Sequence, residues 1–421
     1  MHTRIYNNIK QKKEGLFMKK ILAMVLTAMM MLSLCSLAVA DEAVELELVF
    51  HKPEANAIDA LQKVVDAFNA ENPGIKVNMI QVPDTSTVLQ TRAQLNEMPD
   101  MFTCTTSNMY ELMFDDGIIM DLTGQEFLNN AEASTLELST YKGRNWRLPY
   151  SLSCYGLYVR TDIFEEQGLA LPTTWAELMD VCEKLEAAGI TPFTLPDKTF
   201  VYQRMERMMS FMAEDDSEFR AIAAGEMEAK DSKVLNAYGS SALELVKYMT
   251  PESMGAEYVE SYQQLISGAA AMTINGQWSL ATLKEYDPDV KVALIPLPNP
   301  TGDESKVVVS IDTSFCISSS TKHPEECLKF LEYMSQQDVA QVYTDLEGSP
   351  CVIKGVTLST PELSVINEAM AEGKVCISQN AIWPSGFRKE LGNVATELEI
   401  EQDMDAFFDG ATEVIEEYYN N

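Results

Sequence analysis

The sequence predicts an α/β protein built as two lobes. Strand and helix patterns alternate from Val44 to Cys104, the pattern starts afresh beyond Gly156, and 381 residues follow Ala40. Such alternation makes a mostly parallel sheet with helices on its faces. A chain of that length exceeds what one hydrophobic core usually serves.

Val44 to Phe50 reads as a strand because apolar and acidic residues alternate, and His51-Lys52-Pro53 ends it. Ala55 to Asn69 has helical spacing, with Ile58, Leu61, Val64, Val65 and Phe68 on one face. Asn72-Pro73-Gly74 stops that helix. Ile75 to Val82 is a second strand, Thr87 to Leu95 a helix, and Met98 to Cys104 a short buried strand. Farther on, Thr174 with Glu177 three residues later forms a capping box, which opens a helix running to about Gly189. Residues 200–270 are mostly helical, and their Met205, Met208, Met209 and Met212 read as core filling. Ala269 to Asn275, Val290 to Pro298 and Val307 to Ile317 are strands. A helix opens at Glu325 after His323-Pro324, and three further helical patterns complete the chain.

The N-terminus speaks for export. Lys19-Lys20, the apolar run Ile21 to Leu34 and Ala38-Val39-Ala40 have the order of a secretory signal peptide, with cleavage expected after Ala40. The run is too short for a membrane anchor. Lys12-Lys13-Glu14-Gly15 reads as a ribosome-binding sequence translated into protein, which points to Met18 as the true start. Cys35 raises the question of a lipid anchor. Leu34 is the wrong residue before a lipidated cysteine, so free secretion is expected.

Removing residues 1–40 leaves 25 Lys and Arg against 63 Asp and Glu. So acidic a chain repels nucleic-acid phosphates and anionic lipids. A neutral ligand is easier to accept, unless the binding cleft is locally basic. The seven cysteines after Ala40 include no CxxC and have no neighbouring His, so they predict neither a zinc site nor a disulfide framework. Cys351 with Cys376 is the one pair considered for a bridge.

Four segments carry a family resemblance. Tyr141 to Leu178 joins a polar turn to an extended apolar passage and a capped helix. SGAAAMTINGQW follows at Ser267 to Trp278, IPLP at Ile295 to Pro298, and FCISSSTKHPEECLKFLEYM at Phe315 to Met334. In this order and spacing they resemble the extracellular solute-binding proteins of bacterial ABC sugar importers, the carbohydrate-uptake class with a maltose-binding-protein-like fold. The resemblance implies a two-lobed, type II periplasmic-binding-protein-like fold, each lobe a mostly parallel sheet with flanking helices. Residues 1–17 are then an upstream extension and 18–40 the signal peptide. Residues 41–150 with 292–318 form the N-terminal lobe, and 151–291 with 319–421 the C-terminal lobe. Pro149, Tyr150 and Ser151 are the expected hinge, since proline confines the change in angle to few residues.

Ligands of open α/β sheets bind beyond the carboxyl ends of strands. Trp278, carried by Gly276 and Gln277, is accordingly the leading candidate for stacking on a sugar face, with a lid over the lobe core as its other reading. Trp383 is the second aromatic candidate, with Arg388 just beyond it. His51, Glu54, Asp84, Ser107, Asn108, Tyr155, Tyr202, Gln277 and Asp312 complete the set, each with an ordinary surface or capping role as its alternative. The expected activity is capture of a mono- or oligosaccharide by a monomer, which delivers it to ABC permease subunits without a cofactor. A polyamine held by carboxylates and aromatic faces is the alternative ligand. An extracellular glycosidase needs a pair of suitably spaced carboxylates that nothing in the sequence places, and neither GxSxG nor HExxH occurs.

Overall fold

A computed structural model describes residues 43–82, 84–379 and 382–419. The signal peptide, the upstream extension and Cys35 lie outside the described residues. The three strands expected first form over Val44–Phe50 (β1), Ile75–Gln81 (β2) and Met101–Cys104 (β3), the last starting three residues later than expected, as parallel neighbours in the order β2-β1-β3. The helix Ala55–Glu71 packs its Leu61, Val64, Val65 and Phe68 face inward, as its spacing requires.

Two long strands then pass between the lobes. Leu148–Arg160 (β4) spans 13 residues, and its burial is nearly unbroken. After Thr191–Phe193 (β5), Ala270–Gly276 (β6) and Val292–Ile295 (β7), the strand Val307–Ile317 (β8) returns antiparallel to both β3 and β4. Val375–Ile377 (β9) lies parallel to β8. All nine belong to one mixed sheet, ordered β2-β1-β3-β8-β4-β6-β5, with β7 beside β4 and β9 beside β8. Parallel pairs lie toward the outer parts of the sheet, and the antiparallel pairs involve the strands that cross.

Burial gathers the apolar side chains into one large core in each lobe, with a smaller cluster beside each. Leu148 and Tyr150 of β4 point into the first, whereas Leu157 and Val159 point into the second. Phe315 and Ile317 of β8 belong to the first core, and Val308 to the second. Between them the β4–β8 register slips twice, around Ile311–Ser314, opposite Ser151 and Pro149. Each slip marks a bulge, where a ladder bends most readily.

The lobe boundaries differ from those expected. Cys327, Phe330, Leu331, Met334, Ala340 and Tyr343 pack in the first core, so the helices Pro324–Met334 and Gln337–Glu347 belong there and not with the C-terminal lobe. Phe330 meets Phe68 edge to face at 5.1 Å. Val292–Ile295 instead pairs with Leu157–Arg160 in the second lobe. The chain therefore crosses a third time, between the first core at Ile353 and the smaller second-lobe cluster at Leu363. Apolar periodicity shows that a helix buries one face but not which core receives it.

Other local expectations hold. Thr174 accepts from the Glu177 amide at 3.3 Å while Glu177 accepts from the Thr174 amide at 3.2 Å, closing the capping box. Met205, Met208 and Met209 are buried as core filling. The seven cysteines of the described chain are free thiols. Cys351 borders the first core and Cys376 the second, so that pair does not bridge.

Candidate functional site

Strand ends of the first lobe and helices of the second face each other across a cleft of about 650 Å³. The first wall consists of strand-end loops and the start of the helix Thr85–Leu95. His51, Lys52 and Glu54 follow β1, Asp84, Ser86 and Thr87 follow β2, and Thr105, Thr106 and Ser107 follow β3. Asp84 holds a left-handed backbone (φ 45°) and caps the next helix, accepting from the Thr87 amide at 3.3 Å and the Thr87 hydroxyl at 2.7 Å. These bonds, the hydroxyl first, hold its carboxyl below the usual range. The floor is Ser153 of β4 and Ser310, Ile311 and Asp312 of β8, with the two serine hydroxyls 2.6 Å apart.

An ion cluster lies beneath the first wall. Lys52 is buried and pairs with both Asp312 and Glu347. Burial opposes its charge, but the two carboxylates outweigh burial and hold its pKa well above the ordinary lysine value. Glu347 also accepts from the Ser349 amide at 2.8 Å and the Ser349 hydroxyl at 2.7 Å. His51 sits beside Lys52, its Nδ1 2.7 Å from the Thr103 hydroxyl. Desolvation, then the Lys52 ammonium, push its pKa down to about 3, so the ring is a neutral hydrogen-bonding group. Glu54 has a buried Oε2 with no hydrogen-bond partner, and burial raises its pKa.

The second wall carries long side chains. Tyr202, Gln203 and Arg207 come from the helix Asp197–Met212, and Arg388 and Lys389 from Ser385–Glu401. Trp278 stands just past β6, half-buried, and its Nε1 donates to the Tyr258 hydroxyl at 2.7 Å. Its ring folds back over Gly276. A Cβ there would lie 1.9 Å from a ring carbon, so only glycine admits this pose. Arg207 lies over both the Tyr155 ring at 4.8 Å and the Trp278 ring at 5.2 Å. A smaller cavity of about 340 Å³ adjoins the cleft, sharing Lys52, Glu54 and Trp278 with it.

Comparison with known proteins agrees with this geometry. The family model for the bacterial extracellular solute-binding protein matches residues 63–372, well over half of the chain. The chain belongs to that family. The multiple sugar-binding protein of Streptococcus mutans is 28% identical over 329 residues, which cover 75% of this chain and 77% of that protein. An ABC transporter extracellular-binding protein of Pyrococcus horikoshii is 24% identical, covering 86% of this chain and 84% of its own. Among solved structures, the RafE solute-binding protein in complex with raffinose superposes with a TM-score of 0.77 at 22% identity, covering 90% of this chain and all of that one. At that identity the likeness concerns the fold, which is the two-lobed type II fold.

Within this solute-binding protein, His51, Glu54, Asp84, Ser107, Tyr202, Trp278, Asp312 and Arg388 all line the cleft. The Asn108 side chain lies outside the described residues. Three expected residues do not reach the cleft. Trp383 is only 1% exposed, and its Nε1 donates to the Phe219 carbonyl at 2.9 Å. It packs against Phe219 and Phe387 in the second core, where an indole with a satisfied N–H is core filling. Gln277 is buried too; it accepts from the Cys154 amide at 2.6 Å and donates to Ser349 at 3.0 Å, binding the crossing segments to each other. Tyr155 lies behind Trp278, with ring centroids 6.4 Å apart, and supports it. Arg388 faces the cleft but is tied to Glu206 at 3.0 Å.

Lys52, Ser153, Arg207, Ser310 and Lys389 join the site unannounced. Lys52 was within reach, being next to His51 in the same strand-end loop. Arg207 sits on the polar face of a helix whose other face is the buried methionine stripe. Nothing in such a pattern tells what a polar face looks onto.

Proposed function

We propose that this protein captures a mono- or oligosaccharide between its lobes and delivers it to the permease subunits of an ABC importer. The observation that carries this reading is the pairing of Trp278 at the cleft edge with an opposite wall of small hydroxyls and loop amides. A pyranose presents an apolar C–H face and a rim of hydroxyls, and such a cleft can match both. Glu54, with its unpartnered buried oxygen, is suited to accept from a sugar hydroxyl. The protein works as an exported monomer, released after Ala40 without a lipid at Cys35, and does no chemistry on its cargo.

Closure bends β4 and β8 near Pro149–Ser151 and Ile311–Ser314, where the ladder is irregular. A ligand that touches both walls only in the closed form selects that form. The polyamine reading loses support from the acids of the cleft. Asp312 is paired with Lys52 and Asp84 is engaged in a helix cap, leaving Glu54 as the lining carboxylate outside such arrangements among the described residues.

A thermal-shift screen of the purified protein against sugars, polyamines and peptides tests the reading. A sugar present at 100 times its dissociation constant should add about 2.7 kcal/mol of stability. A shift with spermidine and none with any sugar overturns it.

A further inference from the structure

The charges of the cleft depart from those of the chain. The protein has 64 acidic residues against 31 basic ones, yet four cations line the cleft beside three carboxylates. Two of the four are neutralised, Lys52 by Asp312 and Glu347 and Arg388 by Glu206. The other two have no carboxylate within ion-pair distance among the described residues. Arg207 donates to the neutral Gln203 side chain at 2.8 Å and lies over two aromatic rings. Lys389 is exposed on the same wall, and its charge acts on Asp84 across the mouth.

Stacking on aromatic faces keeps Arg207 in place while leaving its charge uncompensated, because guanidinium is weakly hydrated and tolerates ring contact. It stands 5.2 Å from the centre of the indole proposed to stack on the sugar. A substituent on the rim of a ring stacked there would fall within its reach.

Resting on the sugar-binding reading above, we infer that the ligand is a sugar bearing an anionic group, with Arg207 and Lys389 as the residues that select it. The neutral ligand favoured by the overall charge gives way to a local exception. Carboxylate, sulfate and phosphate esters share the required chemistry, since each offers oxygens to a guanidinium fork. Repulsion from the acidic outer surface is screened within about 8 Å at physiological salt. Glu54 and Asp84 line the same cleft, so selection of an anion rests on the position of Arg207 beside the indole.

Isothermal titration of the purified protein against matched pairs tests the inference: trigalacturonate with galactotriose, triglucuronate with maltotriose, a sulfated with an unsulfated galactobiose, and glucose 6-phosphate with glucose. At least one charged member should bind about tenfold or more tightly than its neutral partner, a preference that shrinks as salt is raised. The pair in which this appears distinguishes carboxylate from sulfate and phosphate. Arg207→Gln should remove most of the preference, and Lys389→Gln, on an exposed position that leaves packing untouched, should reduce it. Neutral sugars binding as well as or better than their charged partners would overturn the inference while leaving sugar capture standing. So would an unchanged ratio in both variants. Binding of no sugar of either kind overturns the underlying reading, and this inference with it.

Discussion

The two walls of the cleft are built from different materials. The first-lobe wall is rich in short hydroxyl side chains at strand ends and a helix start, braced from beneath by the Lys52 cluster. The second-lobe wall is made of long side chains projecting from helices, braced by one another through rings and by Glu206. Short side chains on tight loops lose little entropy when they bind, but they reach little of the ligand. Long ones reach far, and must be held by neighbours to be worth anything. The first wall therefore suits general recognition of hydroxyls, and the second suits discrimination.

The two tryptophans of the second lobe provide the sharpest way to break that comparison. Trp383→Ala should cost about 3–5 kcal/mol of stability through the cavity it leaves, with sugar affinity of the folded fraction intact. Trp278→Ala should do the reverse, weakening sugar binding by about a hundredfold while the urea midpoint shifts little. Loss of affinity in the first variant would return Trp383 to the ligand-binding role expected from sequence, and retention in the second would leave Trp278 as a lid over the lobe core.

On the first wall the brace is the test. Lys52→Met leaves Asp312 and Glu347 as buried carboxylates facing each other, which should cost about 3–5 kcal/mol in urea unfolding. A smaller cost would mean that the cluster is solvated and braces nothing.

The smallest expected effect concerns His51. Its folded pKa, about 3, lies below the ordinary value of 6.5. Between those values the unfolded chain binds a proton that the folded one refuses, so stability falls as pH drops from 6.5 toward 3. The stabilising share of the neutral ring is fully present above pH 6.5. His51→Asn should flatten the wild-type decline in the urea midpoint over that window, and an unchanged slope would show that the imidazole titrates normally in the fold.

Much of the fold was legible because it rests on local patterns. β1, β2, β8 and the helix after Thr174 follow from alternation, spacing and capping within a dozen residues. The allotment of helices Pro324–Met334 and Gln337–Glu347 was not, since it depends on Phe330 meeting Phe68, 262 positions away along the chain. The same divide runs through the site. The strand-end rule reaches His51, Glu54, Asp84 and Ser107, whose loops follow directly from the strands. It says nothing of Arg207 and Lys389, which enter from helices packed on the second lobe. It also offered Trp383 as an aromatic candidate, although the indole turns inward to Phe219.

The sharing of β4 and β8 between the cores has a consequence for how the molecule comes apart. Each core needs half of both strands to close its sheet, and the third passage binds the lobes again through Gln277 and Ser349. Neither lobe can be cut from the chain with its sheet complete. The stability of each lobe is therefore tied through β4 and β8 to that of the other.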